Sequence, residues 1–295
     1  MMDKRGAEFT FDGIGTSWCI LTDDGSLREE TVECVLCYMR VFNARFSRFL
    51  NDSEASAFRN AEAGEYPISE EFATLLSRAD ELRRLTGGLY DPAVGGLLEQ
   101  AGYDAAYSMV PRPDVVQFVL PKWEITGQML TIDGPVVFDL GGMGKGFCID
   151  RVAEILENHN HRHYLVDGGG DMYATTKRDG GPWRVAIEYP GKPDVAVGTV
   201  ELENRGIAVS DSFRCRWKEW HHIVHPLLRV PIETVIGVTA TARNAWDADC
   251  ATSALFFSDE NRCDEVAKFL RSRYLVFRTD GTTRVSPDWD GVLFV

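Results

Sequence analysis

Two stretches of the chain place apolar residues at helical spacing most clearly. Val32, Val35, Leu36, Met39 and Phe42 share one face between Glu30 and Phe46, which predicts a helix there. Phe72, Leu75, Leu76, Ala79 and Leu82 predict a second from about Ser69 to Thr86. Ser69 can cap its first amides, Glu70 and Glu71 suit its positive end, and Gly87-Gly88 stop it. Further helices are predicted at about Phe147–Asn158, Trp246–Phe257 and Asn261–Arg273. Strand-like runs cover Thr16–Thr22, Met129–Ile132, Val136–Phe138, Tyr164–Asp167, Trp183–Tyr189, Val195–Leu202, Ile207–Ser210, Val235–Thr241, Tyr274–Arg278 and Val292–Val295. One more, Val115–Leu120, follows Pro111 and Pro113. Helices and strands mix without regular alternation, so the expected class is α+β. No repeat, low-complexity tract or linker interrupts the pattern, and one domain spanning 1–295 is expected.

Composition narrows the function more than the fold. The 295 residues are ample for a hydrophobic core, and the net charge of −14 argues against a nucleic-acid partner, whose phosphates call for a basic surface. The seven cysteines are odd in number and scattered; Cys34 and Cys37 lie in the first predicted helix, and no second pair completes a zinc site. Free thiols are the simplest expectation. Met1–Phe11 is polar and no run approaches the roughly twenty apolar residues needed to span a bilayer, so a cytoplasmic protein without a membrane span is expected.

Four local motifs carry candidate chemistry. In Phe138-Asp139-Leu140-Gly141-Gly142-Met143-Gly144-Lys145-Gly146-Phe147 a strand gives way to glycines and then a helix, an arrangement that aims amides at an anion. It is neither a Walker A loop, which needs glycine where Asp139 stands and Ser or Thr where Gly146 stands, nor G-x-G-x-x-G, whose last position is Phe147. A glycine-rich turn with a surface lysine remains the plainer reading. Leu165-Val166-Asp167-Gly168-Gly169-Gly170-Asp171 is a strand end or a simple tight turn. Asp249 and Ser253 stand four apart on one helix face, where a carboxylate and a hydroxyl suit Mg²⁺; Thr252 and Asp247 compete, and a capped helix with solvated acids is the alternative. His221 and His222 offer acid–base chemistry or merely line a turn, and His159, His161 and His163 fit a solvated loop better than a metal site.

In this order the motifs resemble the FAD:protein FMN transferase, or ApbE, family over nearly the whole chain. Phe11–Thr16 is similar to the opening F-x-x-M-G-T, Phe46–Asn60 to the Ser-Glu…Asn segment, and Tyr90–Leu97 with Gly102-Tyr103 to F-D-P-T-V-G-P-L…G-F. Asp139–Asp150 matches D-L-G-G-x-x-K-G-x-x-x-D, Val166–Asp171 the G-G-D strand end, and Trp183–Pro190 W-x-x-x-I-x-x-P. His221–Ile223 matches H-H-I and Ala248–Leu255 A-D-x-x-x-T-A-L.

The resemblance implies an ApbE-like, T-fold-like arrangement of antiparallel sheets and packed helices. It implies transfer of FMN from FAD to a threonine or serine hydroxyl of an acceptor protein, with AMP released and Mg²⁺ required. By position, Asp249, Ser253 and the Gly144 carbonyl correspond to the metal ligands. Asp139, Gly141, Gly142, Lys145, Asp150, Gly169, Asp171 and Ser210 correspond to the FAD loops, and Asn60, Tyr90 and Asp91 border the flavin. His222, with Asp249, is the catalytic candidate. FAD hydrolysis and FAD binding without chemistry are the alternatives. The chain departs from the family pattern at Ser253 for threonine, Ser210-Asp211 for Ser-Gly, His225-Pro226 for Asp-Pro, Arg229 for glycine and Ala93 for threonine.

Overall fold

The computed structural model describes residues 6–294. Met1–Arg5 and Val295, on which part of the N-terminal reading and the end of the last predicted strand fall, lie outside the described residues. The chain gathers into two compact units, Met1–Val41 with Gly142–Asp211 and Val235–Val295, and Phe42–Gly141 with Ser212–Thr234.

An eight-stranded antiparallel sheet organises the first unit. Its order is Ala7–Gly13, Thr16–Thr22, Tyr164–Gly168, Asp171–Ala174, Arg205–Asp211, Val235–Ala242, Arg273–Arg278 and Thr283–Val285. The central strand Val235–Ala242 is apolar or small and buried along almost its whole length, as a strand covered on both faces must be. Side chains alternate across a strand, so Ile207 and Ala208 serve opposite faces. Ile207 joins Leu165, Val200, Leu202 and Phe277 in a core that includes the three-stranded sheet of Trp183–Tyr189, Lys192–Leu202 and Val292–Leu293. Ala208 meets Ala242 and Ala248, and Ala248 belongs to a helix.

Six helices are described: α1 (Glu29–Phe46), α2 (Glu70–Leu85), α3 (Gly95–Gln100), α4 (Gly144–Asn158), α5 (Ala245–Phe256) and α6 (Glu260–Leu270). Helix α5 packs on the Arg205–Asp211 and Val235–Ala242 strands and against α4. Its alanines and hydroxyl residues keep its surface low enough to lie close to both. At the crossing with α4, a Cβ on Gly146 would stand 2.5 Å from the Ala245 carbonyl oxygen and 2.7 Å from the Asp249 Cβ. The crossing therefore requires glycine at 146.

The second unit holds the three-stranded sheet Gly64–Pro67, Met129–Ile132 and Trp123–Thr126, helices α2 and α3, and two short hairpins within 216–231. Phe138 sits in its aromatic core, edge-on to Phe58, Phe72 and Trp123. Ser69 caps α2 as its position predicts, accepting the Phe72 amide. All seven cysteines are free, with Cys34 and Cys37 exposed on α1. No helix among the described residues is long and apolar enough to cross a membrane.

Two predicted strands are absent. Val115–Leu120 instead starts with a tight turn in which Gln117 donates to the Asp114 carbonyl at 2.8 Å, and it leaves Val116 and Val119 62% and 76% exposed. Its apolar alternation finds no partner strand. Val136–Phe138 is buried but joins no sheet; the Val136 amide donates to the Phe58 carbonyl. No sequence pattern marks the strands Ala7–Gly13, Gly64–Pro67, Trp123–Thr126, Asp171–Ala174 and Thr283–Val285, the short strands within 216–231, or helix α3.

Replacing Gly146 by alanine should cost about 1–3 kcal/mol, because the contacts it creates are with the Ala245 backbone and the Asp249 Cβ, neither of which can swing aside. Gly64→Ala meets only the Tyr66 ring at 3.6 Å or more and should stay within about 0.5 kcal/mol of wild type in urea unfolding.

Candidate active site

In the first unit, α5 presents its polar face to the start of α4. The Gly146 amide donates to Asp249 Oδ2 at 2.9 Å, and Ser253 Oγ donates to the Gly142 carbonyl at 2.6 Å. One helical turn separates Asp249 from Ser253, so both reach the glycine turn. Thr252 faces elsewhere: its hydroxyl donates to the Asp249 carbonyl at 2.8 Å and lies 2.9 Å from Ser210 Oγ. Of the two competing hydroxyls, Ser253 is the one that meets the turn. Gly144 opens α4, and the carbonyl in contact with Ser253 belongs to Gly142.

Charges around this turn are packed tightly. Lys145 pairs with Asp171, whose other oxygen accepts the Val209 amide at 2.9 Å. Asp249 is 2% exposed. Burial pushes its carboxyl up to about 7, against the opposing pull of Lys145 and with a further push from Asp171. Asp150 is pushed up to about 6, again by burial; its two oxygens accept the Ala245 and Trp246 amides and so cap α5. Gly169 turns with φ +73 directly against the Thr16 side chain, leaving no room for a Cβ. Among the described residues, no three His, Cys, Asp or Glu side chains gather as a metal cluster.

The second unit holds the remaining predicted residues. Asn60 is exposed, whereas Tyr90 and Asp91 are buried. Asp91 Oδ1 accepts the Ala93 amide and the Trp123 indole N–H, each at 2.9 Å, and burial raises its carboxyl. Asp139 Oδ1 accepts the Gly141 amide at 2.7 Å, which bends the chain into the glycine stretch. The sequence patterns single out none of the residues behind Asp139, namely Arg48, Arg59 and Glu99.

The two adjacent histidines have different surroundings. His221 is buried, with Nε2 2.9 Å from the Ile232 carbonyl and Nδ1 accepting the Ile223 amide. His222 is half-buried, and its Nδ1 lies 3.4 Å from the Cys215 carbonyl. A carbonyl only accepts, so in that contact Nδ1 is the donor. The nearby departures from the family pattern are accommodated by specific bonds. His225 Nδ1 accepts the Leu227 and Leu228 amides at 3.2 Å, a bond an aspartate carboxylate would make in a turn. Arg229 adopts φ 61, the conformation glycine favours, and donates to the Phe118 carbonyl at 2.5 Å.

The raised Asp249 carboxyl has a consequence for stability. The folded, cation-free protein holds this proton more tightly than the unfolded chain. The group's stabilising contribution is therefore full below the ordinary carboxylate range near 4 and declines as pH rises through about 7. Asp249→Asn should raise Tm at pH 8 without added cation and flatten the fall in Tm between pH 5 and 8. Asp150 should preserve part of that slope.

The model of the ApbE family matches residues 14–276. The chain is 31% identical over 295 aligned residues to an FAD:protein FMN transferase of Haemophilus influenzae, covering 90% of this chain and 85% of that one. Its fold is similar to the ApbE protein of Thermotoga maritima, with a TM-score of 0.85 over 96% of this chain and 97% of that one at 22% identity. It is also similar to the flavin transferase ApbE of Vibrio cholerae, with a TM-score of 0.80 over 96% and 97% at 26% identity. Matched along most of its length in both sequence and fold, this chain belongs to the ApbE family.

Proposed function

We propose that this protein transfers FMN from FAD to a serine or threonine hydroxyl of an acceptor protein and releases AMP. The observation that carries the reading is the convergence of Asp249 and Ser253 on the Gly142–Gly146 turn, in a chain of the ApbE family. The acceptor's oxygen forms a bond to the FMN phosphorus while the bond from that phosphorus to the bridging oxygen breaks, and AMP leaves with that oxygen. His222 is the residue assigned to accept the hydroxyl's proton.

The residues of the turn fit Mg²⁺. A carboxylate, a hydroxyl and main-chain carbonyls form a hard oxygen set, and Asp249 is a buried acid that burial drives toward protonation unless a positive charge balances it. Asp249, Ser253 and a carbonyl of the turn, Gly144's by family resemblance, would hold the ion. Bound there, Mg²⁺ supplies charge neutralisation for the diphosphate. Lys145 and Asp171 brace the turn as an ion pair, and Asp150 fixes α5 to α4. Asn60, Tyr90 and Asp91 are assigned to the flavin, and Gly141, Gly169 and Ser210 to the FAD loops.

The protein incubated with FAD, Mg²⁺ and candidate acceptors should release AMP and leave a fluorescent acceptor band on a denaturing gel. AMP without a labelled band would make it an FAD hydrolase, and FAD binding without AMP would remove catalysis altogether. Asp249→Ala should abolish AMP release. Ser253→Ala should lower it about 10–100-fold, the usual scale for a disturbed metal shell, while Ser253→Thr retains it. Thr252→Val with wild-type metal dependence is expected; loss of that dependence would move the ligand to Thr252.

A further inference from the structure

Arg48 is almost wholly buried, with 2% of its side chain exposed, and although it falls within the Phe46–Asn60 segment, no residue pattern there singles it out. Its Nε donates to Asp139 Oδ2 at 2.6 Å, and its Nη1 donates to the Tyr103 carbonyl at 2.9 Å. The guanidinium also lies over the Phe49 and Tyr103 rings, 4.1 and 4.8 Å from their centroids. Its Nη2 is buried without a hydrogen-bond partner among the described residues. Burying a cation costs heavily, and an incompletely satisfied one survives where carboxylates and rings hold it in one geometry.

Those carboxylates join segments far apart in sequence. Glu99 Oε1 lies 3.6 Å from Arg48 Nη1, and Glu99 also takes a forked pair of bonds from Arg59 at 2.5 and 2.9 Å. Arg59 Nη2 in turn donates to the Arg48 carbonyl at 2.8 Å. Asp139, held through Oδ2 by Arg48, uses Oδ1 to accept the Gly141 amide and its own amide to bond the Pro92 carbonyl. The network thus reaches Asn60 through Arg59, the Tyr90-Asp91-Pro92 segment through Pro92, and the glycine stretch through Asp139.

We infer that Arg48 is a positioning residue for FAD binding: it fixes the Asp139 carboxylate, and through it the Leu140–Gly141 backbone and the Pro92 turn. This rests on the transferase reading. The guanidinium is suited to the task because its planar fork bonds Asp139 and the Tyr103 carbonyl in fixed directions while its faces stack on rings. Lysine preserves the charge and lacks the fork.

The test compares wild type, Arg48→Lys, Arg48→Met, Asp139→Asn and their pairs by titrating flavin fluorescence for FAD affinity and by following AMP release. Leu76→Ala is the control for general destabilisation, since α2 carries none of the candidate site residues. Arg48→Lys should raise both Kd and KM for FAD about 10–100-fold, the usual scale for outer-shell partners, with a smaller change in kcat. The double variant Arg48→Lys/Asp139→Asn should be no worse than its weaker single parent. Leu76→Ala should lower Tm and leave FAD affinity unchanged. The inference falls if Arg48→Lys binds FAD within twofold of wild type, or if Leu76→Ala weakens binding equally. Arg48→Lys answers the question even if Arg48→Met does not fold. A wild type that binds FAD yet releases no AMP removes the transferase reading and leaves the Arg48 assignment to the affinities; a wild type that binds no FAD overturns both.

Discussion

The buried carboxylate of Asp249, held against the first turn of α4, is the constraint on which the rest of the first unit depends. To bring it there, α5 must cross α4 at contact distance, and that crossing demands glycine at 146. To let α5 lie flat on the sheet, its inward face must be small, and Ala248 meets Ala208 and Ala242. Asp150 then locks the crossing by capping α5 with both oxygens. A large share of the local sequence thus serves to keep one acid out of water, where its charge is costly and a cation is favoured.

Polar residues of the same motif divide into different duties. Lys145 suggests a phosphate contact by its place in a glycine-rich turn, yet it is tied to Asp171, itself anchored by the Val209 amide. Thr252 and Ser253 are neighbours with similar hydroxyls, and the helix pitch sends one to Ser210 and the other to the glycine turn. The adjacent histidines differ too: His221 is buried and engaged through both ring nitrogens by the Ile232 carbonyl and the Ile223 amide, whereas His222 is half-buried with Nδ1 near the Cys215 carbonyl. Position along the chain gives the motif; hydrogen bonding decides the role.

Much of this was legible in the sequence because it is local. Helical spacing places Asp249 and Ser253 on one face, Ser69 and Gly87 mark the ends of α2, and glycines mark the turn before α4. What stayed hidden is what closes over distance. Arg48 meets Asp139 across 91 positions, and no spacing rule links an arginine in one loop to an acid in another. Val115–Leu120 has the alternation of a strand, but pairing needs a partner, and the turn at Asp114 with the neighbouring prolines directs it elsewhere. The start of α4 at Gly144 is hidden in the sequence because Gly144 and Gly146 are poor helix formers by themselves; at 146 the crossing with α5 makes the glycine necessary.

Proton release on cation binding tests the central claim most directly. Calorimetric titration of Mg²⁺ into the nucleotide-free protein at pH 6.5, in two buffers of different ionisation heat, counts the protons expelled. With Asp249 pushed up to about 7, a substantial fraction of a proton should leave per ion bound, and Asp249→Asn should abolish that release together with most of the affinity. Mg²⁺ binding that releases no proton, or that is unchanged in Asp249→Asn, would contradict the account.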